Sequence, residues 1–220
     1  MENLSHFPRL EAALVALLAP PPRPSDLAWR VQLPRLFGSL VTLREPRPTD
    51  AADMLASVGP ENVSRLITPP PTSVEGFERF IDWSCLQRSE GQSVVFIVTR
   101  HGSDAAIGLF QVRSLGVGFE QAEWGFALAS PFWGSGIFAD GAELVLNFTF
   151  DVLGTHRLEA RAATTNDRGN GALRKLGARQ EGVLRRSFLR NGTYLDQVLW
   201  TIFADEWRGV PDLAKSLLVH

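Results

Sequence analysis

The sequence predicts an α/β domain built on one mixed sheet, partly parallel, with helices on both faces. Three observations carry this. Strand-like and helix-period runs follow one another in the order β, α, α, β, β, β, α, β, α, β, β. A central strand–helix–strand passage calls for a crossover, and hence a parallel neighbour. Asn191-Gly192, between two long late strands, is the strongest short-range hairpin signal.

Taken in order, Leu40-Val-Thr-Leu-Arg44 reads as a strand, and Thr49 or Asp50 caps a helix over 51–58. Thr72 or Ser73, after three prolines, caps a helix from 74 to about 86 whose Val74, Phe77, Phe80/Ile81 and Cys85 share one side. Strands over 93–99 and 105–112 are joined by the turn-forming His101-Gly-Ser-Asp104. A third strand spans 121–128, with Gly125 marking a bulge or a close backbone approach. A long helix over 137–153, a strand over 157–163, and a helix over 170–176 ended by Gly177 come next. Strands over 178–189 and 194–203 complete the order.

Residues 1–39 read as a helical, proline-rich extension, with Leu4, Phe7, Leu10, Leu14 and Leu17/Leu18 at helical spacing before Ala19-Pro-Pro-Pro-Arg-Pro24. It can pack on the domain, mediate a dimer or sit loosely. Residues 40–207 form the main domain and 208–220 a tail.

The chain has 220 residues, of which 45% are apolar and 21% charged, ordinary for a globular protein. A formal charge of −2 argues against a broad nucleic-acid surface. The lone Cys85 excludes an internal disulfide and reads as a core thiol. His6, His101, His156 and His220 are scattered without ligand spacing, so no metal site is expected. No stretch is long and apolar enough to span a membrane, and no signal peptide is evident, so a cytoplasmic location is expected.

The chemistry concentrates around Ser130-Pro-Phe-Trp-Gly-Ser-Gly-Ile-Phe-Ala-Asp-Gly-Ala142, where a strand gives way to a helix. A helix starting just after Gly134-Ser135-Gly136 exposes up to four amide donors, with the positive end of its dipole behind them. Glycine lets the backbone come close to a ligand, so this is an anion cradle suited to phosphate. It can equally be a tight strand-to-helix turn. No Gly-Lys-Ser/Thr follows, which excludes a Walker loop, and the dinucleotide fingerprint is only partial.

With that turn, the strand Glu123-Trp-Gly-Phe-Ala-Leu128 before it, Arg157-Leu-Glu-Ala-Arg161 after it, and Thr165-Asn166-Asp-Arg-Gly-Asn-Gly-Ala-Leu-Arg-Lys-Leu-Gly-Ala178, the chain resembles the GNAT acyl-CoA N-acyltransferase superfamily. It is most similar to the branch of Rim-type ribosomal-protein alanine N-acetyltransferases, over about residues 38–207. Gly134 and Gly136 take the small positions of the CoA pyrophosphate loop, while Pro131 stands where Gln or Arg usually begins it. Asn166 matches the branch's Asn-x-x-Ser segment, but Gly169 replaces the Ser and Ala178 the usual Phe.

The resemblance implies a mostly antiparallel sheet of about six to seven strands containing a splayed parallel pair. It implies direct acetyl transfer from acetyl-CoA to a primary amine, either a protein or peptide N-terminus or a small amine. A non-catalytic acyl-CoA-binding module on the same fold is the alternative, and a homodimer is allowed. Acetyl-CoA would meet the main chain of Phe126, Ala127 and Leu128, the loop Trp133, Gly134, Ser135, Gly136, Ile137 and Phe138, and Asn166 and Asn170. Glu123 is the candidate base, in an apolar setting beside Trp124, Phe126 and Trp133, or else an ion-paired strand residue. Asn166 contacts the CoA arm or caps its helix, and Asn170 stands in for the missing Ser as a catalytic group.

Overall fold

The structure, a computed structural model, describes residues 27–59, 69–190 and 192–209. The expected helix within 1–39 and the 210–220 part of the tail lie outside them. Eight strands form one sheet in the order β1-β2-β3-β4-β5-β6-β8-β7. In chain order these are β1 (Leu36–Phe37), β2 (Val41–Arg44), β3 (Ser93–Arg100), β4 (Gly108–Gly116), β5 (Gly118–Leu128), β6 (Arg157–Ala163), β7 (Arg179–Arg190) and β8 (Thr193–Phe203). All neighbours are antiparallel except β5 and β6, which run parallel. The count exceeds the expected six to seven because the two-residue β1 pairs with β2 from within the segment read as extension. Nearby Trp29 and Leu33 are also buried in the core.

Six helices are described: α1 (Ala28–Val31), α2 (Ala51–Val58), α3 (Val74–Ser89), α4 (Ile137–Asp151), α5 (Asp167–Lys175) and α6 (Ala204–Gly209). They cover both faces. On one face α4 packs Ile137, Val145 and Leu146 into the larger core with Phe96, Phe110 and Leu158. On the other, Met54 of α2 and Phe77 and Ile81 of α3 pack against Ile97 and Ala127. β3 lies between these layers and is buried at seven successive positions, which is why its sequence is an unbroken apolar run rather than an alternating one. Burying a side chain such as Phe96 contributes roughly 1.5–3 kcal/mol.

Local caps follow the sequence. Ser73 Oγ accepts from the Gly76 amide at 3.1 Å. Asp50 instead turns inward, accepting from both Arg44 terminal nitrogens at 2.8 and 2.7 Å. That buried pair raises the pKa of Arg44, chiefly through the hydrogen bond to Asp50. Cys85 is half-buried rather than in the core, because Phe77, Ile81 and Ser84 form the buried stripe of α3. At the β7–β8 turn Gly192 takes a φ of +77°, while Asn191 lies outside the described residues. No helix of the described residues is long and apolar enough to cross a membrane.

Candidate active site

The parallel seam is closed only at its start. Gln121, Ala122 and Glu123 pair with Arg157, Leu158 and Glu159, and the pairing then stops. Each strand keeps its outer partner: β5 remains on β4 through Leu128↔Gly108, and β6 on β8 through Ala163↔Gln197. The result is a wedge whose walls are facing strand edges with free backbone groups. A cavity of about 640 Å³ occupies it, lined by Trp124 to Ala127 on one side and Ala160 to Ala163, Asn166 and Gly169 on the other.

The glycine turn sits at the wedge. Trp133 Nε1 donates to the Leu128 carbonyl at 2.7 Å and ties the loop to the end of β5. Gly134 and Gly136 have φ of +74° and +85°. A Cβ on Gly134 would meet nothing, so the backbone conformation, not space, calls for glycine there. Gly136 is the N-cap of α4 and gives it no side-chain cap. Among the described residues the amides of Gly134, Ser135 and Gly136 find no backbone acceptor. Asp140, in the first turn, accepts from the amides of Ser39, Leu40 and Val41 at 2.8, 2.8 and 3.0 Å. Ile137 is buried, and the Phe138 ring lies 4.5 Å from that of Phe126. These groups fit a pyrophosphate: amides without backbone acceptors stand at the start of a helix that has no side-chain cap.

The structure adds one residue that the sequence reading missed. The Arg168 guanidinium lies 4.4 Å from the centre of the Trp133 ring. It places a cation beside the glycine loop from across the wedge, where Pro131 has removed the usual polar side chain. The available signal was a cation two residues after Asn166 in a chain whose loop lacks one.

Glu123 lines the cavity, but its surroundings differ from those expected. Successive strand residues point to opposite faces, so Trp124 and Phe126 join the α4-side core while Glu123 faces the other way. Its Oε2 accepts from Arg113 Nη2 at 2.6 Å and lies 3.5 Å from Arg161 Nη1. Arg161 also reaches Glu159 at 3.2 Å, and Arg157 pairs with both Glu159 and Glu181. The carboxylate is thus set in an ionic row across the sheet, not among aromatic rings.

Asn166 caps α5, its Oδ1 accepting from the Gly169 amide at 3.0 Å. Asn166 lines the cavity, and its Nδ2 lies beside Gly169. A Cβ on Gly169 would come within 2.6 Å of that Nδ2, so the loss of the usual Ser and the present Asn166 orientation go together. Asn170 is a different case. It is buried, its Nδ2 donates to the Ala163 and Asn166 carbonyls at 2.9 Å each, and its Oδ1 accepts from Trp200 Nε1 at 2.9 Å. Engaged at both ends, buried and off the cavity lining, it braces α5 against β6 and β8 rather than facing a reacting group. Leu128 likewise has its carbonyl committed to Trp133. No group of three or more metal-binding side chains occurs among the described residues.

A sheet with one splayed parallel pair beside an uncapped glycine turn is the architecture of an acyl-CoA-dependent transferase. Residues 41–179 match the family model described as Acetyltransferase (GNAT) domain, and the chain belongs to that family of acetyl-CoA-dependent acetyltransferases. It is 25% identical over 176 residues to the uncharacterized N-acetyltransferase p20 of Bacillus licheniformis, covering 79% of this chain and 98% of that one. It is 27% identical over 139 residues to spermidine N(1)-acetyltransferase of Escherichia coli (strain K12), covering 60% and 72%. Mycobacterium smegmatis RimJ in complex with CoA-disulfide superposes with a TM-score of 0.69 at 24% identity, covering 81% of this chain and 88% of that one, a likeness of fold.

Proposed function

We propose that this chain moves the acetyl group of acetyl-CoA directly to a primary amine, on a peptide N-terminus or a small molecule, inside the β5–β6 wedge. The observation that carries this is the continuity of one cavity from the open strand edges to Glu123. A relative solved with a CoA derivative supports it.

Bound there, acetyl-CoA supplies an activated thioester. The amides of the turn from Gly134 to Phe138 receive its pyrophosphate, and Arg168 adds a charge. Trp133 walls the loop. The edge of β5 at Phe126 and the Leu128 amide pairs with the pantetheine arm, to which Asn166 Nδ2 donates, while the Ala127 carbonyl faces β4 beside Gly108. A β5 amide aimed at the thioester oxygen stabilises the charge that develops on it. Glu123 takes the proton that the amine loses as its nitrogen bonds to the acetyl carbon and the carbon–sulfur bond breaks.

The test is thiol release from acetyl-CoA with a panel of amines, comparing the wild type with Glu123→Gln. The expected result is a fall in kcat of about 10²–10⁴ with CoA affinity preserved. CoA binding without turnover of any amine would instead indicate a binding module on the same fold.

A further inference from the structure

Beyond the wedge the cavity continues to the α2–α3 side of the sheet, and its lining there is chemically one-sided. The far wall is apolar: Val58, prolines 69–71, Phe77, Phe80 and Trp83. Phe80 and Trp83 lie with ring centres 5.9 Å apart, and Trp83 is 41% exposed. The exposed part of the Trp83 indole leaves a flat apolar surface on the cavity rim that a ligand can cover.

The opposite wall is charged. Among the described residues Arg113, Glu123 and Arg161 are the ionisable ones on the lining, and Oε2 of the one carboxylate is shared between the two guanidiniums. Arg113 is 55% exposed and among the described residues pairs with Glu123 alone, so most of its five N–H donors are spare. The buried Nε of Arg161 has no hydrogen-bond partner among the described residues. Among the described residues the lining thus sets two guanidiniums against one carboxylate, whose Oε1 is left for an amine.

We infer that the acceptor is a primary amine carrying both a carboxylate and an apolar group of about aromatic size, as in an aromatic α-amino acid. This rests on the acetyltransferase reading above. The amine and carboxylate of such a molecule stand one carbon apart, matching Glu123 and Arg113, which are themselves adjacent at 2.6 Å. Its side chain covers Phe80 and Trp83. A polyamine presents only ammonium groups and would leave both guanidiniums without a partner anion. The acceptor named for the Escherichia coli relative, spermidine, is therefore not expected to be preferred here.

The experiment compares kcat/KM for phenylalanine, phenethylamine, a phenylalanine-initiated tripeptide and spermidine. Wild type and Arg113→Gln are used, with phenylalanine binding measured by calorimetry in the presence of CoA. The wild type should favour phenylalanine over each other amine by about tenfold or more, the scale of one charge-assisted hydrogen bond. In Arg113→Gln the phenylalanine-to-phenethylamine ratio should collapse toward one, and calorimetric affinity should fall in parallel. Trp83→Ala should lower the preference for phenylalanine over alanine by a few-fold. A preference for spermidine or the tripeptide, or a ratio unmoved by Arg113→Gln, overturns the inference and leaves acetyl transfer standing. No turnover of any amine overturns both.

Discussion

The β5–β6 seam is closed over its first three residue pairs and open beyond them, and the halves are built from different chemistry. The closed half is laced by charges. Arg113, Glu123, Arg161, Glu159, Arg157 and Glu181 run across the sheet as neighbouring opposite pairs. The open half is lined mainly by Gly125, Ala127, Ala160, Ala162 and Ala163, whose small side chains leave backbone as the surface, with Phe126 and Arg161 between them. One pair of strands is thus held by side chains where it must stay shut and stripped of them where a ligand must reach the main chain. Exposed ion pairs contribute only about 0.2–1 kcal/mol each, so the row acts as a network around Glu123 rather than as a set of independent clasps.

On cofactor binding, the largest effect should come from breaking the open half at its glycine turn. Gly136→Val places a β-branched residue at a φ of +85°, which costs roughly 1–2 kcal/mol for an ordinary residue and more for a branched one. The cradle amides then lose their convergence. CoA affinity measured by calorimetry should fall at least about tenfold, while the kcat at saturating acetyl-CoA falls less. Unchanged affinity would show that the turn shapes the chain without holding the cofactor.

The contrast between the halves also marks where the sequence was legible. Element types, the mixed sheet and the glycine turn were readable, because apolar period and turn chemistry act locally. The two-residue β1 was not, since Leu36-Phe37 becomes a strand only by pairing with Leu43 and Thr42. Glu123 could be placed on its strand, but not its surroundings: strand alternation, itself readable, puts Trp124 and Phe126 on the opposite face, and its partners Arg113 and Arg161 come from two other strands. Asn170 was assigned to chemistry by its proximity to Gly169. Its bond to Trp200, thirty residues on, is a tertiary fact that no local pattern displays. Arg168 escaped notice because its partner Trp133 is brought to it by the fold.

A middling effect is expected at that last contact. Arg168→Gln removes the one cation that stands over the Trp133 ring, leaving the backbone cradle in place. The KM for acetyl-CoA should rise by about three- to tenfold with kcat nearly constant, in keeping with a partly exposed charge–phosphate contact. The difference from wild type should shrink as salt is raised, since screening weakens the wild-type contact that the variant lacks. A salt-independent loss would assign Arg168 to packing on the indole alone.

The smallest effect belongs to the outer end of the closed half. Arg157 holds Glu181 at 2.5 Å, and this hydrogen bond, aided by Thr201, lowers the Glu181 pKa below its ordinary value of 4.5. A carboxylate with a depressed folded-state pKa stabilises the fold fully above its unfolded value, and loses that contribution as pH falls through the folded one. Glu181→Gln should therefore lower the melting temperature slightly near neutrality, by an amount equivalent to no more than about 1 kcal/mol for so exposed a pair. The two melting curves should converge once pH drops below the carboxylate range, where the wild type is protonated as well. If the gap persisted in acid, Glu181 would be acting through the packing of its stem against β8, and the ionic row would end at Glu159.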